Sequence, residues 1–233
     1  MGRALLFWAI IIGTGSVYFG KNLELRFSSN NKIKQQSTQD NLINDYDPSN
    51  DEQFSKEERD YFKEVAKKSE FTSDTAIRRW NNDIRIYVVG DKVDYLMEEL
   101  DKIIWELNEI IQPIDLKIVN EKSKANLTIY LTGSDEYVEV EPIAKKYVGS
   151  NWGLFVIQPN NSFIQSATVF VNMEECFEIQ GQKHLLREEL TQALGLRNDS
   201  YTYPESIFYS NWTNTTEYTE LDKSLIDMLY NHW

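Results

Sequence analysis

Two histidines, one cysteine and five prolines in 233 residues remove several chemistries at the outset. A single thiol, Cys176, allows no intrachain disulfide, no thiolate zinc site and no lipobox-type lipid anchor. As a nucleophile it would need a histidine partner, and a buried small apolar residue is the simpler reading. Positive charge is scarce as well. Lys and Arg number 24 against 37 Asp and Glu, a formal charge of -13. Arg3, Lys21 and Arg26 outweigh Glu24 in the first 26 residues, so the rest of the chain is more acidic still. Such a surface repels phosphate backbones and anionic headgroups, which argues against nucleic acid as a partner.

With 41% hydrophobic and 13% aromatic residues, the chain can bury one domain and carry an appendage. The appendage is N-terminal. Arg3 precedes the apolar run Ala4 to Ile12, and Gly13-Thr14-Gly15-Ser16 interrupts it before Val17-Tyr18-Phe19-Gly20. That pattern fits a signal peptide, with Thr14 and Ser16 as candidate residues before the cut. Read through to Phe19, it fits a short membrane anchor, below the ~20 residues of a comfortable span. A core helix would need a polar face, and this stretch has none. Residues 1–26 are therefore expected to be a signal peptide or anchor, with the domain exported to the cell envelope, membrane-anchored or secreted. Positive charge on both flanks specifies orientation only weakly.

Residues 27–53 are rich in Asn, Ser, Gln and Asp, too polar to offset the entropy of ordering, and are expected to form a disordered linker. The domain is expected over 54–233. Ser55 and Glu58 make a capping box ahead of Tyr61, Phe62, Val65 and Ala66 at helical spacing. A strand over Ile84 to Val89 closes at Gly90, and Asp91 can cap the next helix. That helix carries an apolar stripe from Val93 through Leu100 and Leu107 to Ile111, and Pro113 stops it. Strands follow at Leu116–Val119, Ala125–Leu131, Gly153–Gln158 and Ala167–Asn172, with a long loop from Ser134 to Trp152, then a helix over about 182–194. The strand, crossover helix, strand order implies parallel pairing and an α/β architecture of covered layers.

That last helix reads Arg187-Glu188-Glu189-Leu190-Thr191-Gln192-Ala193-Leu194-Gly195-Leu196-Arg197-Asn198. It resembles the metzincin zinc motif H-E-x-x-H-x-x-G-x-x-H in its matrixin form. Ser206-Ile207-Phe208-Tyr209-Ser210 resembles the matrixin Met-turn with Phe208 in place of methionine, and Leu221 to Tyr230 resembles the closing helix. The resemblance covers about residues 75 to 231, and a bacterial family of unknown function shares the R-E-E-L-T-Q-A-L-G-L and S-I-F phrases. It implies an α+β fold: a mixed five-stranded sheet with an antiparallel edge strand, a backing helix, a degenerate active-site helix and a C-terminal helix. It places Glu188, Gln192 and Asn198 at the three zinc-ligand positions, Glu189 at the general-base position, and Gly195 and Phe208 at the two turns. All three histidines are missing.

Positions i and i+4 put Glu188 and Gln192 on one helix face, yet amide oxygens are poor zinc ligands. Glu188, Gln192, Asn198 and Asp199 could hold a hard cation, but one or two carboxylates make a weak cage. A polar network joining Glu188, Gln192 and Asn198 is the simpler reading, and no cofactor is expected. Without a metal to acidify a water, Glu189 is at most a weak catalytic candidate. His184 precedes Glu188 by one turn and is read as its hydrogen-bond neighbour. The expected function is a non-catalytic binding or scaffolding module that takes an envelope protein or an extended peptide. By the same resemblance the peptide would lie along the edge strand at Leu154, Phe155 and Val156. A hydrolase using Glu188 and Glu189 without zinc is one alternative. A purely structural envelope protein is another, and it predicts no open cleft beside Gln192.

Overall fold

A computed structural model of the chain describes residues 10–11, 50–67 and 75–232. The expected leader or anchor and the linker lie outside the described residues, apart from Ile10–Ile11 and the stretch from Asn50.

Five strands form the body of one sheet: β2 (Ile84–Gly90), β3 (Leu116–Ile118), β4 (Leu127–Thr132), β5 (Gly153–Asn160) and β6 (Phe163–Asn172). Ile10–Ile11, β1, runs alongside as a sixth, giving the order β1-β5-β6-β4-β2-β3. β2 pairs with β3 and β4 in parallel and β4 with β6 in parallel, while β5 turns back antiparallel on β6. This is the mixed sheet with an antiparallel outer pair that the resemblance implies.

Register explains the two faces. Val88, Ile129, Val169 and Phe155 stand in one row across β2, β4, β6 and β5, and all four belong to the main core. One step along, Tyr130, Phe170 and Leu154 make a row on the opposite face. Alternation of side chains along each strand therefore builds two cores from one sheet.

The main core is covered by helices. In α1 (Lys56–Lys67) the capping box is present, with Ser55 N donating to Glu58 at 2.7 Å and Glu58 N to Ser55 Oγ at 3.2 Å. Helix α2 (Asp94–Ile110) buries Leu96, Leu100, Ile103 and Leu107, the expected stripe. Its N-cap is Val93 with no side-chain cap, so Asp91 contributes only a backbone carbonyl to Val93 N. The second core corrects the long loop: Ser134–Val140 is a helix, α3, followed by a 3-10 segment at Pro142–Lys146. Tyr137 from α3 stacks on Phe170 with ring centroids 4.5 Å apart and 2° between planes. A single anchoring aromatic leaves too short a periodic pattern to announce a seven-residue helix. The motif helix α4 (Ile179–Gln192) begins earlier than expected, and α5 (Glu220–Asn231) closes the domain behind a Thr219/Asp222 capping box.

Helices α2 and α4 are joined by a buried ion network. The Arg187 guanidinium donates to Glu99 Oε1 at 2.8 Å and to Glu106 Oε2, and lies 4.6 Å from the Tyr218 ring. Lys183 adds a second cation 3.7 Å from Glu99. Thr191 Oγ1 donates to Arg187 O at 2.6 Å and the Tyr218 hydroxyl donates to Thr191 at 2.6 Å. Removing the guanidinium would leave two carboxylates facing a hole, and breaking a buried pair costs about 3–5 kcal/mol. We therefore expect Arg187→Ala to lose stability of that order in urea unfolding. A loss under about 1 kcal/mol, typical of an exposed pair, would mean that the network does not hold the helices together.

Candidate functional site

The motif helix ends at Gln192, and the chain reverses through Gly195. Its φ is +125°, and an added Cβ there would lie 1.9 Å from the Arg78 carbonyl oxygen. Left-handed backbone and close approach both require glycine at this turn. Two hydrogen bonds hold the helix end: Trp80 Nε1 donates to Ala193 O at 3.0 Å and the Tyr230 hydroxyl to Leu194 O at 2.8 Å.

Beyond the turn, Arg197 and Asn198 serve α1. Asn198 N donates to Val65 O at 3.1 Å, its side-chain amide to Glu64 O at 3.2 Å and Asp199 O at 2.7 Å, and Arg197 Nη2 to Ala66 O at 3.3 Å. The carbonyls of Glu64, Val65 and Ala66 belong to the last turn of α1, which has no partners within its own helix. Asn198 is thereby drawn away from α4. In its place Asp199 meets the motif helix, its Oδ1 accepting from Gln192 Nε2 at 2.5 Å. The residue hydrogen-bonded to Gln192 is thus Asp199, one after the Asn198 to which the spacing points.

One turn earlier, Glu188 Oε2 lies 3.3 Å from His184 Nε2, and His184 Nδ1 is 2.7 Å from Thr215 O. The Trp212 ring meets His184 edge to face at 5.9 Å. Burial disfavours a charge on His184, but Glu188 and the Thr215 carbonyl outweigh it and raise its pKa above the ordinary histidine value. Glu189 points under the edge strand, where an added Cβ on Gly153 would lie 2.4 Å from its Oε1. Burial first, then the Glu188 and Asp199 charges, pushes its pKa well above the ordinary carboxylate range, favouring the neutral acid. Glu188 is 0%, Glu189 1%, Gln192 2%, and Asn198 and Asp199 each 7% exposed, so Gln192 and its neighbours are shielded from solvent.

Phe208 is fully buried in the main core. Ser206 fixes the turn that delivers it: its hydroxyl donates to Asp222 Oδ1 at 2.5 Å and accepts from Tyr61 at 2.7 Å and Phe208 N at 3.1 Å. Asp222 also accepts from Ile207 N at 3.2 Å and Thr219 N at 2.9 Å. Ser206, Asp222, Arg187 and Arg197 organise the region, and no motif pointed to them. The only signal was the presence of Arg187, Arg197 and Ser206 within or beside the R-E-E-L-T-Q-A-L-G-L and S-I-F phrases, and of Asp222 in the segment that resembles the closing helix.

On the edge strand, Leu154 and Val156 face the second core and Phe155 the main core. The outer side of Val156 and Ile157 is in register with Ile10 and Ile11, in parallel. The segment from Ser134 to Trp152 lies over the sheet face, through Tyr137, Ala144 and Val148.

The zinc ion implied by a metzincin-like fold does not fit the residues present. Two of the three positions carry amides, whose oxygens are poor zinc ligands, and their N–H groups are turned towards Asp199 and backbone carbonyls while Glu188 faces His184. Among the described residues no three His, Cys, Asp or Glu side chains are grouped to hold a metal. Two predictions follow from these positions. Since Gln192 and Asp199 face each other, Glu188→His, Gln192→His, Asp199→His should bind zinc in equilibrium dialysis, whereas the triple variant with Asn198→His in place of Asp199→His should not. The reverse result would put Asn198 back across from the helix.

Glu189 and His184 both have raised pKa values in the folded chain. Their stabilising contributions are full below their unfolded values and are lost as pH rises through the folded ones. The melting temperature should therefore fall as pH rises above the ordinary values of 4.5 for the carboxyl and 6.5 for the imidazole, and Glu189→Gln, a neutral isostere, should remove part of that fall. An unchanged slope in Glu189→Gln would mean that Glu189 is ionised in the native state.

No curated protein sequence matches this chain. Two solved structures of myroilysin are similar to it. One has a TM-score of 0.41 and 12% identity, covering 65% of this chain and 82% of the other. The second has a TM-score of 0.45 and 11% identity, covering 72% and 92%. A family model described as "Protein of unknown function (DUF2927)" matches residues 55–232, and the chain belongs to that family.

Proposed function

We propose that this domain is a non-catalytic descendant of a peptidase architecture, acting as a binding or scaffolding module in the cell envelope. One observation carries the reading: the positions that would hold metal and base are all buried, with the Gln192 and Asn198 N–H groups spent on Asp199 and on backbone carbonyls and Glu188 facing His184. A peptidase base needs a water and a substrate within reach. Glu189, sealed beneath Gly153 and favoured as the neutral acid, has access to neither.

Export rests on the apolar N-terminal run, and an extended peptide or envelope protein is the partner the outer strand would suit. Beyond the two residues matched by Ile10–Ile11, the outer side of Gly153–Phe155 has no ladder partner among the described residues. Free backbone donors and acceptors on an edge are what strand addition uses. A purely structural role is the second reading, favoured by the burial of Gln192, since that role predicts no cleft there.

The test compares the full chain with Glu189→Ala on a complex peptide mixture with added zinc. We expect no cleavage that depends on Glu189. Cleavage lost in Glu189→Ala would establish the hydrolase alternative. Alkaline phosphatase fused after residue 233 should be active in cells, and an inactive, stably produced fusion would remove the envelope assignment.

A further inference from the structure

Helix α2 exposes one large apolar side chain, Trp105, at 63%. Beside it is a pocket of about 290 Å³ lined by Trp105, Glu106, Glu109, Ile110, Glu217, Tyr218 and Lys223. Most charges there are already answered. Arg187 neutralises Glu99 and Glu106, Lys102 reaches Glu106 at 4.0 Å and pairs with Glu217, Lys183 reaches Glu99, and Lys223 pairs with Glu220 at 2.7 Å. Glu109 is exposed and makes no hydrogen bond or ion pair among the described residues. It lies four residues after Trp105, so the two share one helix face.

The pocket therefore combines an open indole with one carboxylate that has no counterion. Its wall already shows what such a combination accepts. The Tyr218 ring carries the Arg187 guanidinium at 4.6 Å, with Glu106 completing the contact. An indole face is a better cation partner than a phenol, and a guanidinium can stack on it while donating to a carboxylate. The chain's charge of -13 adds long-range attraction for a basic partner.

We propose that the Trp105–Glu109 pocket binds an arginine side chain presented by a basic segment of a partner protein, stacked on Trp105 and paired with Glu109. This names a partner chemistry for the binding module proposed above. It uses none of Glu188, Glu189, Gln192 or Asn198, so its failure leaves the zinc-free reading standing, and a zinc-dependent activity would leave this pocket untouched.

The test is an NMR titration of the full chain with acetyl-Ala-Arg-Ala-amide, following the Trp105 indole N–H signal, assigned by its loss in Trp105→Phe. We expect a saturable shift with the arginine peptide, none with the same peptide carrying citrulline, and affinity about tenfold lower in Glu109→Gln. Both variants are at solvent-facing positions and should keep the wild-type melting temperature. Equal shifts from arginine and citrulline, unchanged affinity in Glu109→Gln, or no shift up to about 10 mM peptide, where binding would be weaker than about 3 kcal/mol, would each overturn the proposal.

Discussion

A guanidinium excluded from water must be neutralised where it stands, and the buried Arg187 meets that demand by reaching from α4 to Glu99 and Glu106 on α2. Much of the architecture is pinned by this contact. It fixes the two helices that cover the sheet, and through Tyr218 and Thr191 it fixes the segment leading into α5. With α4 fixed, the lengths of the helix and its glycine turn decide what Gln192, Arg197, Asn198 and Asp199 can touch. The residue before the motif's first ligand position thus sets the frame in which the motif residues lie.

Within that frame the motif positions have structural work. Gln192 and Asp199 join the helix to the returning segment, Arg197 and Asn198 satisfy the carbonyls at the end of α1, and Ser206 and Asp222 hold the turn that buries Phe208. A metal site needs side chains whose donors are free and convergent. Here two of the three positions offer only amide oxygens, and their N–H groups hold Asp199 and the end of α1. The buried hydrogen bonds that these residues do make specify one packing arrangement without metal chemistry. Glu189 departs from this pattern, a carboxyl in a dry site whose cost falls when it is neutral.

The sheet was legible because its strands are short runs rich in β-branched and aromatic residues, and the helix α2 because its stripe runs unbroken from Leu96 to Leu107. The glycine turn at Gly195 was legible from motif spacing. Helix α3 was not, since one buried tyrosine makes no periodicity. Nor was the role of Asn198: spacing shows which residues follow a turn, but which of two adjacent side chains faces the helix depends on the unsatisfied carbonyls of α1, about 130 residues away in sequence. Nothing in the local sequence marks Arg187 as buried, because its acidic partners lie on a different helix.

The central claim is that these positions are occupied by protein contacts and not by an ion. Elemental analysis of the full chain, purified without chelator and dialysed against trace zinc, tests it directly. Well under one zinc per chain is expected, with the same value in Gln192→Ala. One zinc per chain, lost in Glu188→Ala or Gln192→Ala, would contradict the account and return the helix to metal chemistry.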